Sequence, residues 1–494
     1  GRLVPDGALI FLRANSLDAL DRLVRDFVGA TNPEQLEGFD VRGFVKGMDV
    51  PGDLSLIDGS KPLAVCMTLS MNGPPVQTSI VPVTDAAAYG ASLGGANFAS
   101  IGSYVGVSAA PGYAARGEPH PLALGLPATA VAGRVDMESI LTMYAPMIEF
   151  GLTQIEQLAA MQAPGEMDIG PILDWYIGGI ESFIESAGTL DLSVATRGSE
   201  VDGTFVLKTL PDSPMSKCAG TGETGVAKLA ACVDTANSSM TFLGGMDMAA
   251  MMASFEDLWD AAFLMYPEPV RGQLEGMMKS FEEMYPLMGK AFAGSGSITP
   301  EGMRFAYYLD AKDPAKLIAT YGKAFQALSG TDGMFALEGP KVEKRGEIEV
   351  TRFTMRLTEE GLRFAMAGAN GRVAFAMGGD DAFLDSTLRR MSTQGEAPPA
   401  MQRLLQRIGG ANPSMLFHMD VAKLIGQVAQ LAPMMGPDVD PDEIPDVSDL
   451  SAPMTFYGGV RGLEWSGGLS LDIAKLAKLV ERMEQEGVVG PATG

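Results

Sequence analysis

Five acidic residues toward the C-terminal end form the most chemically suggestive group in the sequence. In Asp438-Val439-Asp440-Pro441-Asp442-Glu443-Ile444-Pro445-Asp446-Val447-Ser448-Asp449, the carboxylates of Asp438, Asp440, Asp442, Asp446 and Asp449 fall at positions 1, 3, 5, 9 and 12 of one count. Hard oxygen ligands at such spacing wrap Ca²⁺ in an EF-hand loop. Glu443 stands where that loop needs a glycine for its sharp turn, and Pro441 and Pro445 stiffen the backbone against wrapping an ion. The segment therefore reads as a solvated acidic loop or a weak calcium site.

The other chemistry-bearing groups do not assemble into a catalytic centre. Gly220-Thr221-Gly222-Glu223-Thr224-Gly225 has the flavour of a phosphate-binding loop, but Val226 and Ala227 precede Lys228 where Lys and then Ser or Thr should follow the last glycine directly. His120 lies between two prolines and His418 in an apolar strand, neither with a Ser, Cys or carboxylate at a catalytic offset. Methionines crowd the helical stretches around Met246 to Met252 and Met277 to Met288. Thioethers bind Cu(I), yet without accompanying histidines they read as flexible core filling or an adaptable apolar surface. Three cysteines and two histidines cannot build a zinc or iron–sulfur centre of the usual spacing. Cys66 sits in an apolar strand as a buried thiol, while Cys218 and Cys232 flank a Gly/Thr-rich loop at a spacing that either closes a local disulfide or leaves two thiols. The expectation is a non-enzymatic protein that needs no cofactor.

The elements that would position these residues follow one repeated pattern: an apolar strand, an Asn or Asp, and an amphipathic helix. It occurs at Ile10 to Leu17 with Asn15, Val131 to Met137 with Asp136, Phe242 to Met248 with Asp247, and Leu416 to Val421 with Asp420. A short polar side chain at this point accepts hydrogen bonds from the free N–H groups of the helix it precedes. Alternating with this unit are hairpins. One runs from Lys61 to Val83 and leads to Asp85; another spans Ser295 to Leu309 and leads to Asp313-Pro314, the proline suiting a first helical position. Asn370-Gly371, between Leu362 to Ala367 and Arg372 to Met377, is the strongest type I′ turn signal. Met454 to Val460 and Leu463 to Leu471 form a last pair around Arg461-Gly462.

The order of these units in the first half recurs in the second. The predicted fold class is α+β, internally duplicated, with mainly antiparallel sheets from hairpins and amphipathic helices packed on one face. Residues 1–234 would form the first half and 235–494 the second, and 494 residues are too many for one ordinary core.

Composition narrows the function. Hydrophobic residues at 46% supply ample core, while a net charge of −25 leaves neither half basic and argues against nucleic acid and anionic membrane surfaces. No apolar run reaches the eighteen residues of a transmembrane helix. Gly1-Arg2-Leu3-Val4-Pro5-Asp6-Gly7 runs straight into a strand, the look of a mature protein after signal-peptide removal. From Ala86 to Gly133 only Arg116 and Glu118 are charged. Such a stretch is packed against the duplicated half or faces a partner, a neighbouring subunit or a ligand groove.

In its strand-Asp-helix and hairpin units the chain resembles a family of uncharacterised exported bacterial proteins known as a domain of unknown function. The resemblance implies a periplasmic or extracellular location and supplies no catalytic residues. The leading expectation is a structural or assembly subunit of the cell envelope or an extracellular structure, with protein partners or self-assembly. The alternative is a carrier for a lipid or other apolar ligand held between sheet and Met-rich helices.

Overall fold

The computed structural model describes the chain except residues 32–35, 37–38, 48–49, 163–169, 219–225, 246, 248–262, 264–267, 300–301, 329–335, 357–360, 394, 408–413, 430–444 and 487–494. From the N-terminus, β1 (Ile10–Ala14) leads into α1 (Leu17–Thr31) and α2 (Val41–Gly47), followed by β2 (Leu63–Thr68), β3 (Val76–Pro82), α3 (Ala86–Ser92), β4 (Asn97–Ile101) and β5 (Tyr104–Ser108). Next come β6 (Val131–Asp136), α4 (Met137–Gln162), α5 (Gly170–Ser186), β7 (Ala187–Arg197), β8 (Glu200–Thr209), the short α6 (Pro214–Cys218) and α7 (Val226–Leu229), and β9 (Met240–Gly245). Then follow α8 (Glu268–Met284), β10 (Met288–Thr299), β11 (Gly302–Ala311), α9 (Pro314–Leu328), β12 (Ala336–Arg345), β13 (Ile348–Arg356), β14 (Leu362–Ala369) and β15 (Arg372–Met377). The chain ends with α10 (Asp381–Ser392), α11 (Pro399–Arg407), β16 (Met415–Asp420), α12 (Val421–Ala429), β17 (Pro453–Arg461), β18 (Glu464–Asp472) and α13 (Ile473–Gln485). The fold is α+β, and every described strand pairing is antiparallel, as hairpin connections require.

Two compact units share the chain. The first holds residues 1–155, 179–219 and 461–478, and the second holds 156–178, 220–460 and 479–494. In the first unit the strand order is β4-β5-β3-β2-β1-β6-β7-β8-β18. In the second it is β12-β13-β14-β15-β11-β10-β9-β16-β17. The connections run alike: β1 lies between β2 and β6, and β9 lies between β10 and β16. A later hairpin returns to the third strand in each, through β5 to β3 and through β15 to β11.

Alternation sets what each face of the first sheet buries. Leu63, Val81, Val105 and Val107 point to one side, where Leu17 and Leu20 of α1, Val45 of α2 and Tyr89 of α3 close a core over them. On the other side Phe11, Ala64, Cys66 and Ile80 are covered by Leu3, Val4 and Ala8 of the N-terminal segment and by Leu122. The charge-poor stretch thus packs on its own sheet as a strap. Tyr113 Oη donates to the Leu3 carbonyl at 2.6 Å, and the Arg116 N–H donates to the Arg2 carbonyl at 2.8 Å. Gly106 is required beneath it, since a Cβ there would lie 2.0 Å from Tyr113 Oη. The β7–β8 ladder shifts register between Ala187 and Thr189, and a Cβ on Gly188 in this bulge would lie 2.8 Å from the Lys208 carbonyl oxygen.

The caps explain why strands give way to helices. Asp136 accepts from Ser139 N–H at 3.0 Å, Asp420 from Lys423 N–H at 3.2 Å, and Asp85, Asp313, Asp380 and Asp472 bond in the same way to the first turns that follow them. Asn15 departs from expectation. Ser16 caps α1, its Oγ accepting from Ala19 N–H at 2.9 Å, while the Asn15 N–H is bound to the Ala130 carbonyl. A helix-starting serine one residue later satisfies the same donors, so the asparagine is left exposed. Asp247 lies 3.5 Å from Lys290, and the helix expected after it falls outside the described residues. Asn370 and Gly371 take φ of 54° and 71°, the type I′ turn read from the sequence.

Candidate functional site

The first unit carries a broad hydrocarbon face on β2-β1-β6-β7-β8-β18. Directly paired residues share a face, so register alone builds one row across these strands: Val65, Leu12, Gly133, Leu192, Phe205 and Gly467. Rows two residues away on either side continue it, one as Met67, Ile10, Val135, Leu190, Leu207 and Trp465. The other passes through Leu63, Ala14, Val131, Val194, Gly203 and Leu469. No side chain in the three rows is charged, and their one polar side-chain atom, Trp465 Nε1, is buried without a hydrogen bond.

On β6, β7, β8 and β18 the opposite face is ionic. Arg134 on β6 pairs with Asp191 on β7, and Lys208 on β8 reaches Asp191 at 3.5 Å and Glu464 on β18 at 4.0 Å. The Asp191 carboxylate holds Arg134 above its usual pKa. Lys208 and Glu464 reach water on this side, while Phe11, Ala64 and Cys66 of β1 and β2 are buried under the strap; the hydrocarbon face of β6, β7, β8 and β18 should therefore meet a core.

It does so only at one end. α1, α2 and α3 cover the β2, β3 and β5 portion, whereas Leu12, Leu192 and Phe205 in the middle row are 36%, 39% and 45% exposed. The glycines deepen the row: Gly133 gives room for the Leu12 side chain, whose Cδ2 a Cβ would meet at 2.4 Å, and Gly203 opens onto empty space beyond the Leu469 carbonyl. α4 starts directly from β6 and α5 runs directly into β7, and in this unit they add exposed Met147, Phe150 and Phe183. No Lys or Arg occurs between Arg134 and Arg197. A contiguous apolar surface of this kind marks an interaction site.

The second unit treats its aromatic face differently. Phe242 stacks on Phe305 and Tyr307 at centroid distances of 5.7 and 5.8 Å, and α9 brings Tyr321 edge-on to Phe375 at 4.8 Å and Phe325 to 5.7 Å from Phe353. Ring packing covers part of that face, while Phe456 of β17, in the row of Phe242 and Phe417, and Met303 of β11 are 42% and 50% exposed.

The residues singled out by sequence are dispersed. Asp438, Asp440 and Asp442 lie outside the described residues. Asp446 accepts from Ser448 N–H at 3.1 Å, which lowers its pKa, and Asp449 lies 3.6 Å from Arg482. Among the described residues no group of three or more His, Cys, Asp or Glu is placed to hold a metal. Cys66 and Cys232 are buried free thiols. The disulfide alternative for Cys232 is thereby set aside: its sulfur sits 3.6 Å from Arg372 Nη1, and burial raises its pKa. His120 caps a short turn, its Nδ1 accepting from Leu122 N–H at 3.3 Å, and burial lowers its pKa. His418 shares a hydrogen bond with Thr455 at 2.9 Å. The phosphate-loop-like glycines and most of the Met246 to Met252 run fall outside the described residues, while Met284 and Met288 are core filling. Sequence reasoning missed the hydrocarbon face. Its signal was the alternation Leu190-Asp191-Leu192-Ser193-Val194.

No helix of the described residues is long and apolar enough to cross a membrane. No family model and no curated protein matches the chain. Among solved structures, crystal forms IV and III of TP0453, a Treponema protein, align over 52% and 51% of this chain and 96% and 97% of that one. Their identities are 10% and 9% and their TM-scores 0.25 and 0.24, a similarity too loose to carry an argument.

Proposed function

We propose that the chain is a non-enzymatic, exported binding protein whose first unit holds an aliphatic chain along the open row of Leu12, Leu192 and Phe205. One observation carries the reading: three adjacent rows, each six strands wide, present hydrocarbon and a single indole nitrogen, and no other side-chain hydrogen-bonding group. A protein interface of comparable extent carries about one hydrogen bond per 100–200 Å² and a polar rim, whereas a hydrocarbon chain asks for neither. At roughly 4.8 Å between strands the row runs for about 24 Å. The resemblance of the sequence to exported bacterial proteins suits such a role in the envelope. Duplication of one ancestral unit is part of the same proposal, supported by the shared strand order.

Native mass spectrometry and solvent extraction of the full chain test the binding. The expected result is a co-purifying molecule with an aliphatic chain, lost in the folded Leu192→Asp/Phe205→Asp variant, with the protein monomeric by light scattering. An extract free of such molecules, with a concentration-dependent dimer abolished by the same two substitutions, would overturn it in favour of an assembly subunit.

A further inference from the structure

A second cavity lies on the other side of the first sheet, between the strands and the strap. It is open to solvent on one side and measures about 410 Å³, within the range of small-molecule sites. Its walls are aliphatic and aromatic: Leu3 from the N-terminal segment, Phe11 from β1, Ala64 from β2, Ile80 from β3, and Ile101 and Tyr104 from the β4–β5 hairpin. Pro119 and Ala123 of the strap form a further wall. Two cations, Arg2 and Arg13, line this apolar space and no carboxylate does, in a chain of 61 acidic residues.

Neither arginine is neutralised. Arg2 Nε donates to the Arg116 carbonyl at 3.1 Å, and one Arg13 nitrogen donates to the Pro127 carbonyl. Neither makes an ion pair among the described residues, and Arg13 Nε is buried with no hydrogen bond at all. Nearby arginines behave otherwise: Arg116 has Asp6 at 3.1 Å and Arg134 has Asp191. Two guanidinium groups thus line an apolar space without a carboxylate to balance them, and an anion in the cavity would supply the missing counter-charge.

We infer that this cavity binds an amphipathic carboxylate, its charged group on Arg13 and Arg2 and its aliphatic part against Phe11, Ile80 and Ile101. The planar fork of arginine matches a carboxylate's two oxygens, and apart from the two arginines the walls offer no polar side chain but that of Tyr104. The site is separate from the open row, because Arg13 and Leu12 project to opposite faces of β1.

Isothermal titration of the full chain with decanoate, decanol and inorganic phosphate decides the matter. Decanoate should bind the wild type, decanol at least about tenfold more weakly and phosphate alone negligibly. Arg13→Met, which keeps the packing of the stem, should cost decanoate about tenfold or more and leave decanol unchanged, and Arg13→Lys should restore part of the loss. The same titrations in the Leu192→Asp/Phe205→Asp background, where the open row no longer takes up hydrocarbon, should keep the preference for decanoate over decanol and its loss in Arg13→Met, which separates this site from the open row. If Arg13→Met does not fold, Arg2→Met and the cavity-filling Ala123→Phe carry the same expectation of weakened decanoate binding. Equal binding of decanoate and decanol, phosphate binding as tightly as decanoate, or unchanged decanoate affinity in folded variants would each overturn the inference.

Discussion

Leu192 on β7 and Phe205 on β8 are direct cross-strand partners, and both are more than a third exposed, at 39% and 45%. Two large apolar side chains facing each other in the middle of a wide sheet contribute little to the stability of the isolated chain, because water still reaches them. Aspartate at either position, one at a time so that two carboxylates do not face each other across the strands, should therefore change the unfolding free energy by about 1 kcal/mol while abolishing uptake of an uncharged aliphatic probe. Urea titration and probe binding on one sample check the two halves of this expectation. A collapse of stability would show that the row is core.

The caps at the two strand-to-helix junctions differ in their partners. Asp136 accepts from Ser139 alone, through its N–H and its hydroxyl, whereas Asp420 serves Lys423 N–H, Ser451 Oγ and Ala452 N–H. Asp136→Ala should cost about 1 kcal/mol and Asp420→Ala about 2 kcal/mol or more, since the latter also releases the segment before β17. Equal losses in urea unfolding would contradict this ordering.

Arg345 lies 2.9 Å from Asp381, and Arg352 lies 2.8 Å from the same carboxylate, linking β12 and β13 to the start of α10. Hydrogen bonds from Arg345 and then Arg352 lower the Asp381 pKa from 3.8 to about 2. A depressed carboxylate stabilises above its unfolded pKa and loses that contribution as pH falls through the folded one. The stability gap between wild type and Asp381→Asn should thus be constant above about pH 4 and close as pH approaches 2. A gap independent of pH over this window would remove the network from the stability of the hairpin.

Burial pushes the Cys66 thiol up to about 12, and its side chain is inaccessible. The thiolate needed for alkylation is absent at pH 8. Iodoacetamide treatment of the native protein followed by peptide mass spectrometry should find Cys66 unmodified, and rapid modification in urea. Prompt labelling without denaturant would mean that the N-terminal segment and strap leave the sheet readily.

Gly106→Ala should displace the strap, because the new Cβ would occupy the place of Tyr113 Oη and break its hydrogen bond to Leu3. The expected cost is about 1–3 kcal/mol, with faster proteolysis between residues 109 and 130. Unaltered proteolysis would separate the strap from Tyr113.

Local chemistry made much of this fold legible. Asp136 and Asp420 announced their helices, and Asn370-Gly371 announced its hairpin, because capping and positive φ depend on neighbours in sequence. The order of units called for strands and then a closing hairpin in the first half, but the residues of β4–β5 and β7–β8 were not assigned, since they turn on single glycines, Gly102 and Gly198, that resemble many others in a glycine-rich chain. Asn15 lost its role to Ser16 because either residue satisfies the same N–H groups. The two ligand surfaces were beyond reach for another reason. Arg13, Tyr104 and Pro119 meet only through strand order and the path of the strap, and alternation in β7 reveals two unlike faces without telling which one stays uncovered.

The bulge at Gly188 sets the parity of β7, and parity is what separates its hydrocarbon side from its ionic side. Deleting one residue there would turn Asp191 toward Leu12 and Phe205 and present Leu190, Leu192 and Val194 to water beside Lys208. Related chains can therefore vary side chains along this strand freely within each face. They can lose or gain residues between the bulge and Arg197 only in twos, so a single-residue gap in that interval would mark a relative in which the binding surface has been abandoned.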